Sequence, residues 1–334
     1  MKLSNWEYTK DLDGKVIITT VDNKSKPEKL IKYYSLTDYN IDAFKRNYLF
    51  FSHPLDLNDP FDSCRYMIDL RFLSKGYFIT LISRYMHFFM PSRKLSIAEI
   101  INYVEHGFNN ETSKMDFFQT HNPFYWNIIF SKVAVLSLSE IEDSMLLWSY
   151  YTNHKGFAVK FINLNFETTI SGPYPMNYSN KYEIIYPRKV EIEIEKLIYL
   201  LTIKSEEWKH ENEWRFILRK DNLAIPEYDE YDIKISNNKV TYDPKQIEYI
   251  VLGFKFFKGN ITPIYISDNS RIYTFNNKSH SDKLKIDLLN LIIENKIVVR
   301  QIEAKEDNSF TLVSFPIKIE MKEKNRTYII ETQK

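Results

Sequence analysis

The sequence is poor in the residues that several common chemistries require. It has one cysteine, Cys64, so neither an internal disulfide nor a cysteine metal cage can form. It has seven glycines, and none of them build the phosphate-cradling loop of dinucleotide-binding or P-loop proteins. Those two architectures are excluded at the outset. The net charge is +1, so no basic field covers the chain, and any contact with a polyanion has to come from a local patch. Long apolar runs are missing as well. The most apolar stretch, Tyr77–Met90, is interrupted by Arg84 and His87 and is shorter than the roughly 20 residues of a membrane-spanning helix. A buried helix is expected there, and no membrane partner. Residues Met1–Lys10 do not read as a signal peptide, which points to the reducing cytoplasm. With one cysteine and seven scattered histidines, no transition-metal site is expected.

What the chain does have is length and aromatic surface. Its 334 residues, 44% hydrophobic and 27% charged, suffice for a full core and match a folded globular chain. Aromatic residues make up 16%. Most belong in the core, but they also provide stacking surfaces for a flat ligand.

Hydrophobic patterning sets the expected order of elements. Residues 1–29 read as a polar N-terminal arm with a turn at Asp13-Gly14. Leu30–Tyr34 and Tyr48–Phe51 read as strands around a helix at Leu36–Arg46, capped by Thr37 or Asp38. Asp59 can cap a helix that Pro60 opens. Residues 64–130 look like a mainly helical insertion with breaks near Pro91 and Gly107. Val133–Leu138, Phe157–Phe161, Glu213–Leu218 and Ile247–Leu252 read as strands, while Asp143–Tyr151, Glu191–Lys204 and Leu284–Asn295 read as helical. Ile297–Glu303 and Phe310–Glu320 read as an antiparallel pair. The expected fold is α+β, with a mixed, largely antiparallel sheet carrying a helical insertion, spanning residues 30–260. Residues 261–334 are expected to add a helix and a β-hairpin packed on the same domain.

Three polar-aromatic blocks concentrate the chemistry. The first runs from Leu30 to Asp62 and holds Tyr33, Ser52, Asn58 and Asp59. A helix cap explains Asn58-Asp59-Pro60, though the two side chains offer more hydrogen-bonding capacity than one cap uses. In the second block, Trp148 and Tyr151 are three apart and share a helical face, with His154 where the chain turns into a strand. A core aromatic stripe and a structural histidine are the ordinary explanations. In the third, Glu211, Glu213 and Arg215 alternate along an incipient strand beside Trp208 and Trp214, after Lys204. A carboxylate held by an arginine in a partly dry pocket is expected there. A purely structural Arg–Glu pair is the rival.

Together the blocks resemble the domain-of-unknown-function 2971 family. Its Lys-Tyr-x-Ser strand, Asn-Asp-Pro-Phe loop, Trp-x-x-Tyr with His-x-Gly, and Lys-Ser…Trp…Glu-x-Glu-aromatic-Arg correspond to Lys32–Ser35, Asn58–Phe61, Trp148–Tyr151 with His154–Gly156, and Lys204–Arg215. The resemblance covers about Leu30 to Phe256, with Tyr178-Ser179 and Leu252-Gly253 as minor matches. Tyr34 stands where that family often has Arg, and Leu138 where it has Phe.

More distantly, the layout is similar to ADP-ribosyltransferase folds. That similarity implies NAD as substrate. It gives Glu213 the role of stabilising the ribosyl cation as nicotinamide leaves, with Arg215 as its orienter and His154 as a further catalytic candidate. Tyr33, Trp148 or Tyr151 would stack, and Ser52, Asn58, Asp59, Lys204 and Glu211 would contribute to nucleotide binding. The expected function is NAD-using ADP-ribosyl transfer or NAD degradation, as an effector in bacterial defence or a toxin, with an acceptor macromolecule and an operon-encoded partner protein. The alternatives are a metal-dependent nuclease using Asp59, Asp62, Glu211, Glu213 and His154, and a non-catalytic nucleotide- or protein-binding sensor.

Overall fold

The computed structural model describes residues 1–4, 6–86, 92, 94–166, 169–220, 235–258, 264–267, 269–275, 279–305, 307, 309–323 and 327–332. Pro91, where a helical break is expected, lies outside them. In chain order the strands are Lys2–Leu3 (β1), Trp6–Lys10 (β2), Val16–Thr19 (β3), Lys29–Tyr34 (β4), Tyr48–Phe50 (β5), Val133–Ser139 (β6), Phe157–Ile162 (β7), Ile170–Pro175 (β8) and Asn177–Ser179 (β9). They continue with Ile203–Ser205 (β10), Glu213–Arg219 (β11), Lys239–Thr241 (β12), Ile247–Leu252 (β13), Ile264–Ser267 (β14), Ser270–Thr274 (β15), Val299–Ala304 (β16), Leu312–Glu323 (β17) and Thr327–Thr332 (β18). Among the described residues the α-helices are Asp38–Lys45 (α1), Lys75–Arg84 (α2), Ile97–Gly107 (α3), Glu111–Phe130 (α4), Met145–Thr152 (α5), Ile194–Thr202 (α6) and His280–Glu294 (α7).

Eleven strands form one sheet in the order β14-β15-β18-β17-β16-β13-β7-β4-β6-β11-β8. All of its pairings are antiparallel except β13–β16, which is parallel. The α+β reading with a largely antiparallel sheet therefore holds. The β16–β17 pairing matches the expected C-terminal hairpin, while β14, β15 and β18 extend the same sheet beyond it. The turn at Asp13-Gly14 joins β2 to β3, with Gly14 at φ 75°.

Helix starts follow their caps. Thr37 accepts from Asn40 N at the head of α1, and Ser96 with Glu99 forms a reciprocal capping box on α3. No helix follows Pro60. Asp59 Oδ1 instead accepts from Phe61 N at 2.9 Å and closes a turn. The short side chain satisfies a local amide here rather than starting a helix.

The two faces of the sheet bury different partners. Trp214, Phe216 and Leu218 of β11, with Ala134, Leu136 and Leu138 of β6, pack on one face with Ile41 and Phe44 of α1 and Leu288 and Leu289 of α7. Val133, Val135 and Ile217 on the other face pack under the helical insertion, against Phe78, Val104 and Phe118. Further along that second face, Trp148 of α5 is buried with Ile31, Ala158, Val251 and Ile302. The candidate site lies on this face, near both groups.

Candidate functional site

The sheet is incompletely zipped in the middle. β4 pairs with β6 at one position, Ile31↔Ser139. Further along the same edge of β6, Ser52 forms a bridge with Val135 through two backbone hydrogen bonds of 2.8 Å. Between these two fastenings a cavity of about 380 Å³ opens beside Ser137. Lys32, Tyr33, Ser52, Asn58, Asp62, Ser137, Tyr150, Tyr151, Lys204, Glu211, Glu213 and Arg215 all contribute to its lining.

Two turns bring the carboxylates together. The chain from Glu206 to Glu211 is a 3₁₀ turn, and Asn212 in the left-handed conformation (φ 42°) reverses it into β11. Glu211 thus precedes the strand rather than alternating along it, yet both it and Glu213 face the cavity. Lys204 comes from β10, which pairs in parallel with β9 through Lys204↔Tyr178. The helix expected to run through Lys204 ends at Thr202. Tyr178 Oη accepts from Glu213 N at 2.8 Å and fixes the head of β11. Gly172 (φ 107°) lets β8 approach Arg215. A Cβ at Gly172 would lie 2.6 Å from the Arg215 carbonyl oxygen.

The result is a continuous ionic chain. Asp62 accepts from Arg215 Nη1 at 2.8 Å and from Nη2, and Arg215 Nε donates to Glu213 Oε1 at 2.7 Å. Lys204 Nζ donates to Glu213 Oε2 at 3.0 Å and to Glu211 Oε2 at 2.6 Å, and Tyr151 Oη donates to Glu211 Oε1 at 2.5 Å. Arg215 is 1% exposed and also donates to the Leu201 carbonyl at 2.8 Å.

Burial alone would raise the Glu213 carboxyl, but the charges of Arg215 and Lys204 hold it well below the usual carboxylate range. Glu211 goes the other way. Burial raises it, Lys204 opposes the rise, and the neighbouring Glu213 charge adds to it. The pair titrates together, and a proton goes to Glu211 first. Two carboxyls whose surroundings drive them apart can divide acid–base and electrostatic roles.

The cavity lining also holds a cation from β4. By strand alternation Lys32 belongs to the other face, but its Nζ is turned into the gap, 3.3 Å from the Ser137 carbonyl oxygen. No described carboxylate makes an ion pair with it. Burial pushes its pKa down to about 8, against the opposing pull of Glu213.

The structure brings together Tyr33, Ser52, Asn58, Tyr151, Lys204, Glu211, Glu213 and Arg215 around one cavity. Trp148, His154 and Asp59 are not among its lining residues. Trp148 is 0% exposed, its indole N–H donates to the Glu142 carbonyl at 2.7 Å, and its ring meets Tyr33 edge to face at 5.2 Å. It supports the ring of Tyr33 instead of offering a face to a ligand. His154 sits where the α5–β7 turn meets the chain after β13, its carbonyl accepting from Lys255 N at 2.7 Å. Burial and Lys255 lower its pKa. Asp59 Oδ1 is used in its own turn.

Sequence reasoning missed Lys32 as a cavity residue, Asp62 as the partner of Arg215, and Tyr150 at the rim. Lys32 lies inside a motif already singled out, but strand alternation puts it on the wrong face. Among the described residues, no group of three or more His, Cys, Asp or Glu is arranged to hold a metal ion. Asp62 and Glu213 have their oxygens turned to Arg215 and Lys204 instead. Among the described residues no helix is long and apolar enough to cross a membrane. Comparison of the chain with family models, with curated proteins and with solved structures gives no match.

Proposed function

We propose that the cavity binds a nicotinamide nucleotide and that the protein cleaves its N-glycosidic bond, as an NAD-using ADP-ribosyltransferase or NAD-degrading enzyme. One observation carries this reading. The cavity lining carries both signs of charge, with the carboxylates of Glu211 and Glu213 and the ammonium of Lys32, which makes no ion pair with a described carboxylate. NAD also carries both signs, a pyridinium cation joined through ribose to phosphate. A gap in the sheet beside a carboxylate at the head of β11 also supports the ADP-ribosyltransferase-like reading of the fold. At about 380 Å³ the cavity is at the small end of ligand pockets, which suits the nicotinamide-ribose end of the substrate, with the remainder toward the mouth.

In the proposed reaction the ribosyl C1′–N bond breaks and its electron pair leaves with nicotinamide. The fixed negative charge of Glu213 stabilises the resulting oxocarbenium-like cation. Water or an acceptor nucleophile then bonds to C1′, and its proton goes to Glu211, the carboxyl that accepts one more readily. Lys32 holds the phosphate side of the substrate, and Arg215 orients Glu213. The test is nicotinamide release from NAD by the purified protein, followed by chromatography, with water and candidate acceptors. If no nicotinamide is released under any of these conditions, the catalytic reading is wrong.

A second reading is a nucleotide sensor without turnover. It is favoured by the commitment of both Glu213 oxygens to Arg215 and Lys204. NAD or ADP-ribose binding without nicotinamide release would select it.

A further inference from the structure

The rim of the cavity carries a cluster of rings that the proposed reaction does not use. Tyr150 lines the cavity and is 58% exposed. Its ring lies 6.3 Å from Trp208 and 6.2 Å from His210, at 64° and 63° to them, in edge-to-face arrangements. Trp208 and His210 are themselves near parallel, with centroids 6.1 Å apart. Lys204 Nζ stands 4.8 Å from the Trp208 centroid, so the ammonium that pairs with Glu211 and Glu213 also anchors this cluster.

The neighbouring rings of α5 are spent on other work. Trp148 is buried in the core, and the Tyr151 hydroxyl is bound to Glu211. Tyr150 has two neighbouring rings and much of its surface open at the mouth of the cavity. A flanked, exposed ring on the rim of a polar cavity is a stacking platform, since it offers a π-face without having to be ordered on binding.

We infer that Tyr150, flanked by Trp208 and His210, stacks the nucleobase of a nucleotide bound at the mouth of the cavity. The inference rests on the nucleotide reading of the site and adds the base-binding subsite to it. The site reads a flat π-surface and not a particular base edge, because the platform is built of rings whose hydrogen-bonding groups are the Tyr150 hydroxyl, the Trp208 indole N–H and the His210 imidazole. Stacking on an aromatic side chain is sequence-tolerant for the same reason.

The experiment compares adenosine 5′-monophosphate with ribose 5-phosphate, which lacks the base, by titration calorimetry on the full chain. Wild type should bind the monophosphate more tightly, by roughly five- to a hundredfold, the range that base–aromatic stacking supports. Tyr150→Leu should remove that preference, and Tyr150→Phe should keep it, which separates stacking from general apolar contact. The side chain is largely exposed, so both variants should keep the wild-type melting temperature. Should Tyr150→Leu fail to fold, intrinsic fluorescence decides on the wild type, where the monophosphate but not ribose 5-phosphate should perturb Trp208.

Equal binding of the two probes by wild type, or an unchanged preference in Tyr150→Leu, overturns the inference. A base preference without nicotinamide release from NAD keeps the platform and removes the NAD-cleavage reading. Nicotinamide release without a base preference does the reverse.

Discussion

Arg215 and Asp62, 153 positions apart in the chain, are joined by a two-pronged contact in which Nη1 donates to Oδ1 at 2.8 Å and Nη2 to Oδ2. The loop after the Asn58-Asp59-Pro60 turn is thereby fastened to β11. Sequence spacing pairs Arg215 with Glu213, and the structure adds that Arg215 is itself held by Asp62. It also donates to Glu213 and to the Leu201 carbonyl.

The first prediction concerns this contact. Arg215→Ala leaves the buried Asp62 without its cation and Glu213 with Lys204 alone, and should cost on the order of 3–5 kcal/mol in urea unfolding. Asp62→Asn should also destabilise, and the double variant should cost less than the sum of the two singles. Additive losses would mean that the residues act independently.

A second prediction separates the two glutamates. Glu213→Gln keeps the shape but removes the charge, so nicotinamide release should fall by roughly 10²–10³ while NAD binding changes little. Glu211→Gln should lower turnover mainly through the acceptor step and should flatten the acidic limb of the pH–rate profile, because Glu211 is the carboxyl raised by burial. If Glu213→Gln unfolds the protein as Arg215→Ala does, the pair is structural and the sensor reading takes over.

Lys32 gives a pH test. Its ammonium loses its proton near pH 8 when the cavity is empty. An anionic ligand favours the charged form, so NAD affinity should be high below that pH and should fall as pH rises through it. Calorimetry at pH 7 and pH 9.5 should show the fall in wild type and much less of it in Lys32→Met, which should bind NAD more weakly at pH 7. A wild-type affinity that does not change with pH would remove Lys32 from the site.

His53 should contribute to the loss of stability on the acid side. Its Nε2 lies 3.0 Å from the Phe130 carbonyl oxygen, and its Nδ1 accepts from Leu55 N at 3.1 Å, a pattern met by the neutral ring with the proton on Nε2. Burial lowers its pKa from 6.5 to about 4, despite the opposing hydrogen bond to Phe130. Between those two values the unfolded chain binds a proton that the folded chain does not. The contribution is therefore whole above pH 6.5 and is lost as pH falls toward 4, by about 3 kcal/mol in total. Urea unfolding at pH 7 and pH 4.5 should show a smaller decline in His53→Gln than in wild type.

Where local pattern and burial agree, the fold was readable in advance. Alternation along Glu213–Leu218 correctly divides Trp214, Phe216 and Leu218 from Ile217, because each set packs on its own side of the sheet. Thr37 caps α1 as its side chain requires. The cavity's carboxylate wall was readable too, since Lys204, Glu211, Glu213 and Arg215 are close in sequence. What failed depended on long-range packing. Trp148 shares a helix with Tyr151, but burial against Ile31 and Val251 takes its ring out of reach of a ligand. The Arg215–Asp62 link has no local signature at all. Lys32 was missed because the one-pair contact between β4 and β6 opens a space that periodicity cannot anticipate.

That opening also bears on how the site should be probed. A cavity formed where a ladder is left unfastened presents main-chain groups, such as the Ser137 carbonyl that Lys32 reaches, as part of its recognition surface. Such groups do not change when a side chain is substituted. An alanine scan of this wall will therefore recover only part of the binding energy. Replacing a peptide bond by an ester on either side of the gap, which removes an N–H and weakens a carbonyl acceptor while leaving every side chain in place, would measure the remainder.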